Sequence, residues 1–286
     1  MSDGSMQGRT VLVTGGTAGI GRHAAKVLAA RGARVVIVGR NPEKTARVEA
    51  ELRAESGSER VESLLADLSK MADVRALASS YLDRYGALDV LLNNAGAVNL
   101  TREVTAEGLE RTFATNHLAY FLLANLLLPA LRQAEGARVV NVASAAHHMG
   151  RVDFDDLQSA RGYDAWRVYG TSKLMNVLFT REMSRRLGGD GPTVNCLHPG
   201  FVASEFLSKG GIWRVIKPLG YLFAVSEATG AETSVHLASS PEVAGVTGEY
   251  FAKRKVARTS RAAQDDAVAA RLWEESAKLA GLDSTI

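Results

Sequence analysis

At 286 residues, with 46% hydrophobic and 23% charged side chains, the chain is long enough to bury a sizeable core and falls in the ordinary globular range. Its 34 basic and 31 acidic residues leave a net charge of only +3, scattered rather than blocked, which argues against nucleic acid or a charged membrane surface as a partner. A single cysteine, Cys196, excludes an internal disulfide framework and a cysteine metal cluster.

Residues 1–8 are polar and glycine-rich and read as a flexible tail; with no apolar signal segment, the expected compartment is the cytoplasm. Strand and helix signals then alternate. Residues 9–14 form a short β-type run ending in glycine, and 21–31 read as a helix stopped by Gly32. Residues 34–38 are a continuous β-branched run, the pattern of a parallel strand covered on both faces. A polar helix over 42–56, a strand over 61–66, a helix over 71–85 and a strand over 87–92 follow. Residues 105–133 are a long helical stretch that Pro129 is expected to bend or break. Its most apolar part, 119–131, contains Asn125 and Pro129 and is too short to span a bilayer. A strand over 138–143, a helix over 167–187 and a strand over 193–197, which makes Cys196 a buried strand residue, come next. After an irregular stretch, 201–225, a helix over 227–239, a last strand over 248–251 and an amphipathic helix over 265–280 complete the chain. Strands interleaved with helices imply an α/β fold, a Rossmann-type doubly wound parallel sheet flanked by helices. With no repeat and no linker, residues 9–286 read as one domain.

Residues 14–21 read TGGTAGIG, directly after a strand and opening a helix. Gly15 permits the tight turn, Gly19 lets backbone approach a pyrophosphate, and Gly21 permits close helix–strand packing. The helix N-terminus supplies oriented N–H groups and partial positive charge. The spacing departs from GxGxxG, and a glycine cluster can be merely a turn; the strand–loop–helix context favours a cofactor loop, including Thr17 and Ile20. Where an acidic residue would bind a ribose 2′-hydroxyl, the chain has Gly39-Arg40-Asn41. Arg40 suits a 2′-phosphate, which a carboxylate would repel, so NADP(H) is expected in preference to NAD(H). Arg22, in the first helical turn, is a further candidate charge near the phosphates.

Tyr169 and Lys173 lie four apart on one face of a predicted helix. A phenol with a pKa of about 10 is a poor base at neutral pH. An ammonium about 5 Å away at an effective dielectric of about 20 contributes roughly 3 kcal/mol, about two pKa units, toward its ionisation. Such pairs also occur by chance on solvated helices, so the spacing is weak evidence alone.

TGGTAGIG, Asn93-Asn94-Ala95-Gly96, Ser144 closing a strand, Tyr169 with Lys173, and His198-Pro199-Gly200 follow the order of the short-chain dehydrogenases/reductases. The sequence resembles that family over almost its whole length, and most resembles the retinol dehydrogenase-like branch, in residues 139–206 and in Arg271-Leu272-Trp273. The resemblance implies an oxidoreductase moving hydride between nicotinamide and a substrate carbon. It makes Tyr169 the general acid or base and Lys173 the group that lowers its pKa and holds the nicotinamide ribose. Ser144 becomes the hydrogen-bond partner of the substrate oxygen, and Asn116 the helix asparagine that positions a relay water. By the same resemblance Asn93, Ala95 and Gly96 line the cofactor, and Asp67 with Leu68 borders the adenine. Pro199, Gly200, Val202 and Ser204 contact the nicotinamide end. The separation of Ser144 and Tyr169 reflects an insertion containing residues 150–163, which that branch shares. The branch often carries an N-terminal membrane anchor; none is expected here, which moves the expected substrates away from retinoids and membrane lipids.

His147 and His148 lack acidic or cysteine partners at ligand spacing, so no metal is expected and His147 is read as bordering the substrate pocket. His117 and His198 are read as structural. Residues 205–225 are rich in apolar and aromatic side chains, Trp213 among them. In the family the matching segment is a lid; the other reading is an amphipathic helix packed on the core or on another subunit. A small hydrophobic ketone, aldehyde or alcohol is the expected partner; a homo-oligomer is allowed, and subunit number is not set. A catalytically silent NADP-binding regulator would need the glycine loop but not Tyr169, Lys173 and Ser144. An epimerase or dehydratase would need a pocket the sequence does not show.

Overall fold

The computed structural model describes residues 5–189, 191–200 and 226–282. The strands are β1 (Thr10–Thr14), β2 (Arg34–Gly39), β3 (Val61–Leu65), β4 (Val90–Asn93), β5 (Arg138–Val142), β6 (Thr193–His198), β7 (Tyr250–Ala252) and β8 (Lys255–Val256). The helices are α1 (Gly19–Ala30), α2 (Pro42–Ser56), α3 (Met71–Tyr85), α4 (Arg111–Phe113), α5 (Ala119–Leu126), α6 (Leu128–Arg132), α7 (Ala165–Leu187), α8 (Glu227–Ser239) and α9 (Asp266–Ala280).

Among the described residues the strands form one sheet of order β3-β2-β1-β4-β5-β6-β7-β8. All neighbours are parallel except β7 and β8. The order reverses between β1 and β4, which opens a crevice at the carboxyl ends of those strands. Val35, Val36, Ile37 and Val38 are all buried because helices cover both faces. One apolar layer joins α3, α5, α7 and α9 to the sheet through residues such as Leu77, Phe121, Phe179 and Trp273. The other joins α1, α2 and α8 through Leu28, Leu52 and Val235.

Two expectations need correcting. The stretch 105–133 is not one helix. Residues 105–110 form a turn closed by the Val104–Glu110 bridge, and the buried Glu110 carboxylate caps α4 by accepting from the N–H groups of Thr112 and Phe113. A π turn, Ala114–Leu118, follows, and the rod breaks at Leu127, two residues before Pro129. The last strand continues into a hairpin with β8, through Lys253 (φ 51°) and Arg254 (φ 64°). Two consecutive left-handed residues make the tight turn that matches strand twist, but without the Asn-Gly or Asp-Gly that signals it.

Candidate active site

The glycine loop leaves β1 and enters α1 beneath the β4 end. Gly15 (φ 65°) and Gly19 (φ 56°) take left-handed backbone. A Cβ on Gly21 would lie 2.3 Å from Asn94 Nδ2 and 2.5 Å from the Gly15 carbonyl, so glycine is needed for that approach. Asn94 holds the loop: its N–H donates to Thr14 Oγ1 (2.8 Å), and its amide donates to the carbonyls of Thr14 (2.9 Å) and Gly15 (3.3 Å). Asn94 belongs to the Asn93-Asn94-Ala95-Gly96 motif, and its tie to the glycine loop is a role that the sequence does not show. The Asn93 side chain, expected to line the cofactor, is fully buried in the sheet and donates to Asn141 Oδ1 (3.0 Å).

Among the described residues no side chain caps the N-terminus of α1, and no acidic residue sits in its first turn. Its amides are thus left for an outside anion. Thr17 packs against Gly39 at the end of β2, next to the exposed Arg40, and Ile20 packs against the core. Arg40 Nη1 is 3.9 Å from Asp67 Oδ2. Burial works to raise the Asp67 pKa, but hydrogen bonds from the Ser69 hydroxyl and N–H, with the Arg40 charge, hold it below its ordinary value. Leu68 is buried beside it. Arg22 does not serve the loop: its guanidinium is bound to Glu55 (2.6 Å) and Glu51 (3.0 Å) on α2. A glycine turn, helix N-terminal amides without a side-chain cap and an exposed guanidinium where an acid would sit fit a phosphorylated dinucleotide.

Ser144, Tyr169, Lys173 and Asn116 come together although they are far apart in the chain. Two glycines allow it. A Cβ on Gly170 would lie 2.8 Å from the Ala146 carbonyl, and one on Gly150 would lie 2.6 Å from the Gly170 carbonyl, so the 3-10 turn Ala145–Met149 rests directly on α7. Ser144 caps that turn, its Oγ accepting from Ala146 N–H (3.1 Å), and its hydroxyl hydrogen-bonds the Tyr169 phenol. One turn on, Lys173 is buried and donates to the Val142 carbonyl (2.9 Å); its Nζ stands 5.7 Å from the ring centroids of both Tyr120 and Tyr169. Gly96 floors the site, where a Cβ would meet Lys173 Nζ at 3.4 Å and Asn116 Oδ1 at 3.5 Å. Tyr120 Oη donates to the carbonyl of Ala95 (2.8 Å) and fixes that segment from below.

Asn116 lies in the π turn, fully buried. Its Oδ1 accepts from Ala97 N–H (2.8 Å), and its Nδ2 donates to the Ala97 carbonyl (2.9 Å) and Ser172 Oγ (3.0 Å). The side chain therefore clamps the segment that follows β4, and the Asn116 main-chain carbonyl accepts from Asn176 Nδ2 (2.9 Å).

Burial pushes the Tyr169 phenol up to about 12, with the Ser144 bond working the other way, and pushes Lys173 down to about 7. The sequence assigns Lys173 and an oxidised nicotinamide the lowering of the phenol; the net shift set by the protein interior is upward, and burial is its largest cause. Desolvation is the leading cause for both groups.

His147 is expected at the border of the substrate pocket, and in the structure it is packed inward. Its ring is fully buried, with Nδ1 2.7 Å from the Ser144 carbonyl and Nε2 accepting from Ser260 N–H (3.2 Å). His117 and His198 are structural, as read: His117 Nε2 pairs with Ser276 Oγ (2.9 Å), and His198 Nδ1 accepts from Ala145 N–H (3.2 Å). Trp166, missed in the sequence, stands edge-on to Tyr169 with centroids 6.4 Å apart and is 37% exposed. Pro199 and Gly200 (φ 90°) follow β6 at the same end of the sheet. Val202, Ser204, Trp213 and the segment 205–225 lie outside the described residues. No cluster of three or more His, Cys, Asp or Glu side chains able to hold a metal ion, and no helix long and apolar enough to cross a membrane, occurs among the described residues.

The sequence model of the short chain dehydrogenase family matches residues 9–213. The chain belongs to the short-chain dehydrogenases. Within that family it falls in the retinol dehydrogenase-like branch. It is 38% identical to human retinol dehydrogenase 13, over 99% of this chain and 88% of that one, and 40% identical to human retinol dehydrogenase 11, over 97% and 87%. Among solved structures, a Mycobacterium paratuberculosis protein matches this short-chain dehydrogenase with a TM-score of 0.80 and 31% identity, covering 98% of this chain and 96% of that one. The Pseudomonas aeruginosa RhlG/NADP active-site complex matches with a TM-score of 0.69 and 30% identity, covering 88% and 97%.

Proposed function

We propose that this short-chain dehydrogenase is an NADP(H)-dependent oxidoreductase that interconverts a hydrophobic ketone or aldehyde and the corresponding alcohol. The observation that carries the reading is the convergence of Ser144, Tyr169, Lys173 and Asn116 around the Gly96 floor. A silent NADP-binding regulator would have no use for that group.

The cofactor would be held by the loop Gly15, Thr17, Gly19 and Ile20, by Arg40 at the 2′-phosphate, by Asp67 and Leu68 at the adenine, and by Ala95, Gly96, Pro199 and Gly200 toward the nicotinamide. Val202 and Ser204 extend that set on the family pattern. When bound, it supplies or accepts the hydride. In reduction, Tyr169 gives its phenolic proton to the carbonyl oxygen; in oxidation, the phenolate takes the alcohol proton. With a phenol held near 12, the protein groups alone favour the acid form, suited to reduction at neutral pH. Ser144 hydrogen-bonds the same substrate oxygen and stabilises charge developing on it. Lys173 would bind the cofactor's ribose hydroxyls, and Asn116, bonded to Ala97, would keep the Gly96 floor in register for the nicotinamide.

Arg40 in place of an acid, together with the NADP complex at 30% identity, supports NADP over NAD. The names of the retinol dehydrogenases, and the aromatic edge of Trp166 at Tyr169, support an apolar alcohol or carbonyl.

The test is loss of nicotinamide absorbance when the protein is mixed with NADPH and a series of apolar aldehydes and ketones. Turnover that disappears in Tyr169→Phe, with NADPH still bound, supports the reading. Binding of NADPH with no turnover of any carbonyl, and no reverse oxidation of alcohols, supports the regulator instead.

A further inference from the structure

His147 lies three residues after Ser144, and its neighbourhood is unusual for a buried imidazole. The Ser144 carbonyl receives two donors from the same residue: the His147 N–H at 3.1 Å, which closes the 3-10 turn, and the ring Nδ1 at 2.7 Å. A carbonyl oxygen offers two lone pairs, so this one is fully used. On the far side of the ring, Nε2 faces the N–H of Ser260 at 3.2 Å. A backbone N–H can only donate, so Nε2 must be the acceptor, and the ring proton must sit on Nδ1, aimed at Ser144. The ring plane is fixed as well, edge-on to Tyr250 with centroids 4.8 Å apart and packed on His148 at 4.1 Å.

Ser144 itself has extended backbone (φ −165°, ψ 158°), and its Oγ accepts from Ala146 N–H. With the carbonyl pinned, the Cα–Cβ direction is set and only χ1 remains, which the Ala146 contact selects. The hydroxyl is thereby held in the hydrogen bond with the Tyr169 phenol. Misplacement of such a group by about 1 Å costs on the order of 100-fold in rate.

We propose that His147 is a positioning residue for the reaction: its Nδ1–H bond to the Ser144 carbonyl holds the serine hydroxyl against Tyr169, and the Ser260 N–H selects the tautomer that makes this bond. The proposal rests on the catalytic reading above.

Two conservative substitutions separate this role from packing. Asn places an amide donor where Nδ1 was and loses the contact with Ser260; Gln reaches the Nε2 position and loses the contact with Ser144. Both remove the ring from Tyr250, so both lower Tm by similar amounts. His147→Gln is expected to lower kcat about tenfold, the loss of roughly one hydrogen bond. It should also move the Tyr169 limb of the alcohol-oxidation pH profile to higher pH, because the Ser144 bond favours the phenolate. His147→Asn should keep the native pH limb and recover kcat to within about threefold of the native protein. A long-range 1H–15N spectrum of the native protein should show His147 as the Nδ1–H tautomer. Equal kcat values and equal pH profiles for the two variants, or an Nε2–H tautomer, overturn the proposal. If the native protein turns over no carbonyl or alcohol, the functional reading itself falls, and this one with it. The native enzyme thus tells the two failures apart.

Discussion

Asn176 Nδ2 donates to the main-chain carbonyl of Asn116 at 2.9 Å, so a side chain on α7, one turn beyond Lys173, holds the π turn on which the catalytic floor depends. The same α7 residue connects outward. Thr180 Oγ1 donates to the Asn176 carbonyl (2.8 Å) and accepts from Asn141 Nδ2 (3.0 Å), and Asn141 is bonded to Asn93. A chain of buried polar groups thus runs from β4 through β5 and α7 to Asn116.

Replacing Asn176 with Leu keeps the volume but leaves the Asn116 carbonyl buried without that donor. The expected cost is about 1–3 kcal/mol of stability. Denaturant unfolding measures it, and kcat should fall further than the change in stability accounts for at the assay temperature. A variant with native kcat would show that the π turn holds Asn116 without help.

Arg40 is exposed and stands 3.9 Å from Asp67. Its charge costs nothing to desolvate until a ligand arrives, so its contribution should appear in the affinity for a 2′-phosphate. Arg40→Ala is expected to weaken NADP(H) binding by about 1.5–3 kcal/mol, some 10- to 100-fold, and NAD(H) binding little. Equal losses for the two cofactors would remove the basis for preferring NADP(H).

Lys173 should leave a mark on stability as a function of pH. Its folded pKa, about 7, lies below the ordinary 10.5, so between those values the unfolded chain binds a proton that the folded chain does not. Stability therefore rises as pH increases from about 7 toward 10.5 and is lost as pH falls through that window. Tyr169 acts at the upper end with opposite sign: its phenol is raised from 10 to about 12, so its contribution is lost as pH climbs between them. Denaturant midpoints from pH 7 to 10 should slope upward in the native protein, and the slope should flatten in Lys173→Met.

Trp166 presents an indole edge one helical turn before Tyr169, with 37% of its surface open. Trp166→Ala is expected to raise KM for large apolar carbonyls by roughly five- to tenfold, about 1 kcal/mol of lost contact, and to leave KM for a small polar aldehyde unchanged. A uniform change across both substrates would place Trp166 outside the pocket.

Much of the fold could be read from residue order. Continuous β-branched runs such as residues 34–38 mark strands covered on both faces, because local periodicity reflects burial directly. The glycine loop and the Tyr169–Lys173 spacing were equally visible, since a tight turn and an i,i+4 pair are properties of short segments. The Lys253–Arg254 hairpin was not: its left-handed residues are held by pairing of β7 with β8, with no turn sequence to announce them.

What the sequence alone determined was which chemical groups the protein possesses and in what order, and so the class of reaction it can perform. Which of two adjacent asparagines serves the glycine loop was settled only by tertiary structure, since Asn93 and Asn94 differ in which side of a strand end they face. The same holds for His147, whose identity suggests a pocket wall and whose burial makes it a support for Ser144. The direction of the Tyr169 and Lys173 pKa shifts was also beyond the sequence. Spacing places the two groups on one helix face, but only the packed interior supplies the desolvation that raises one and lowers the other.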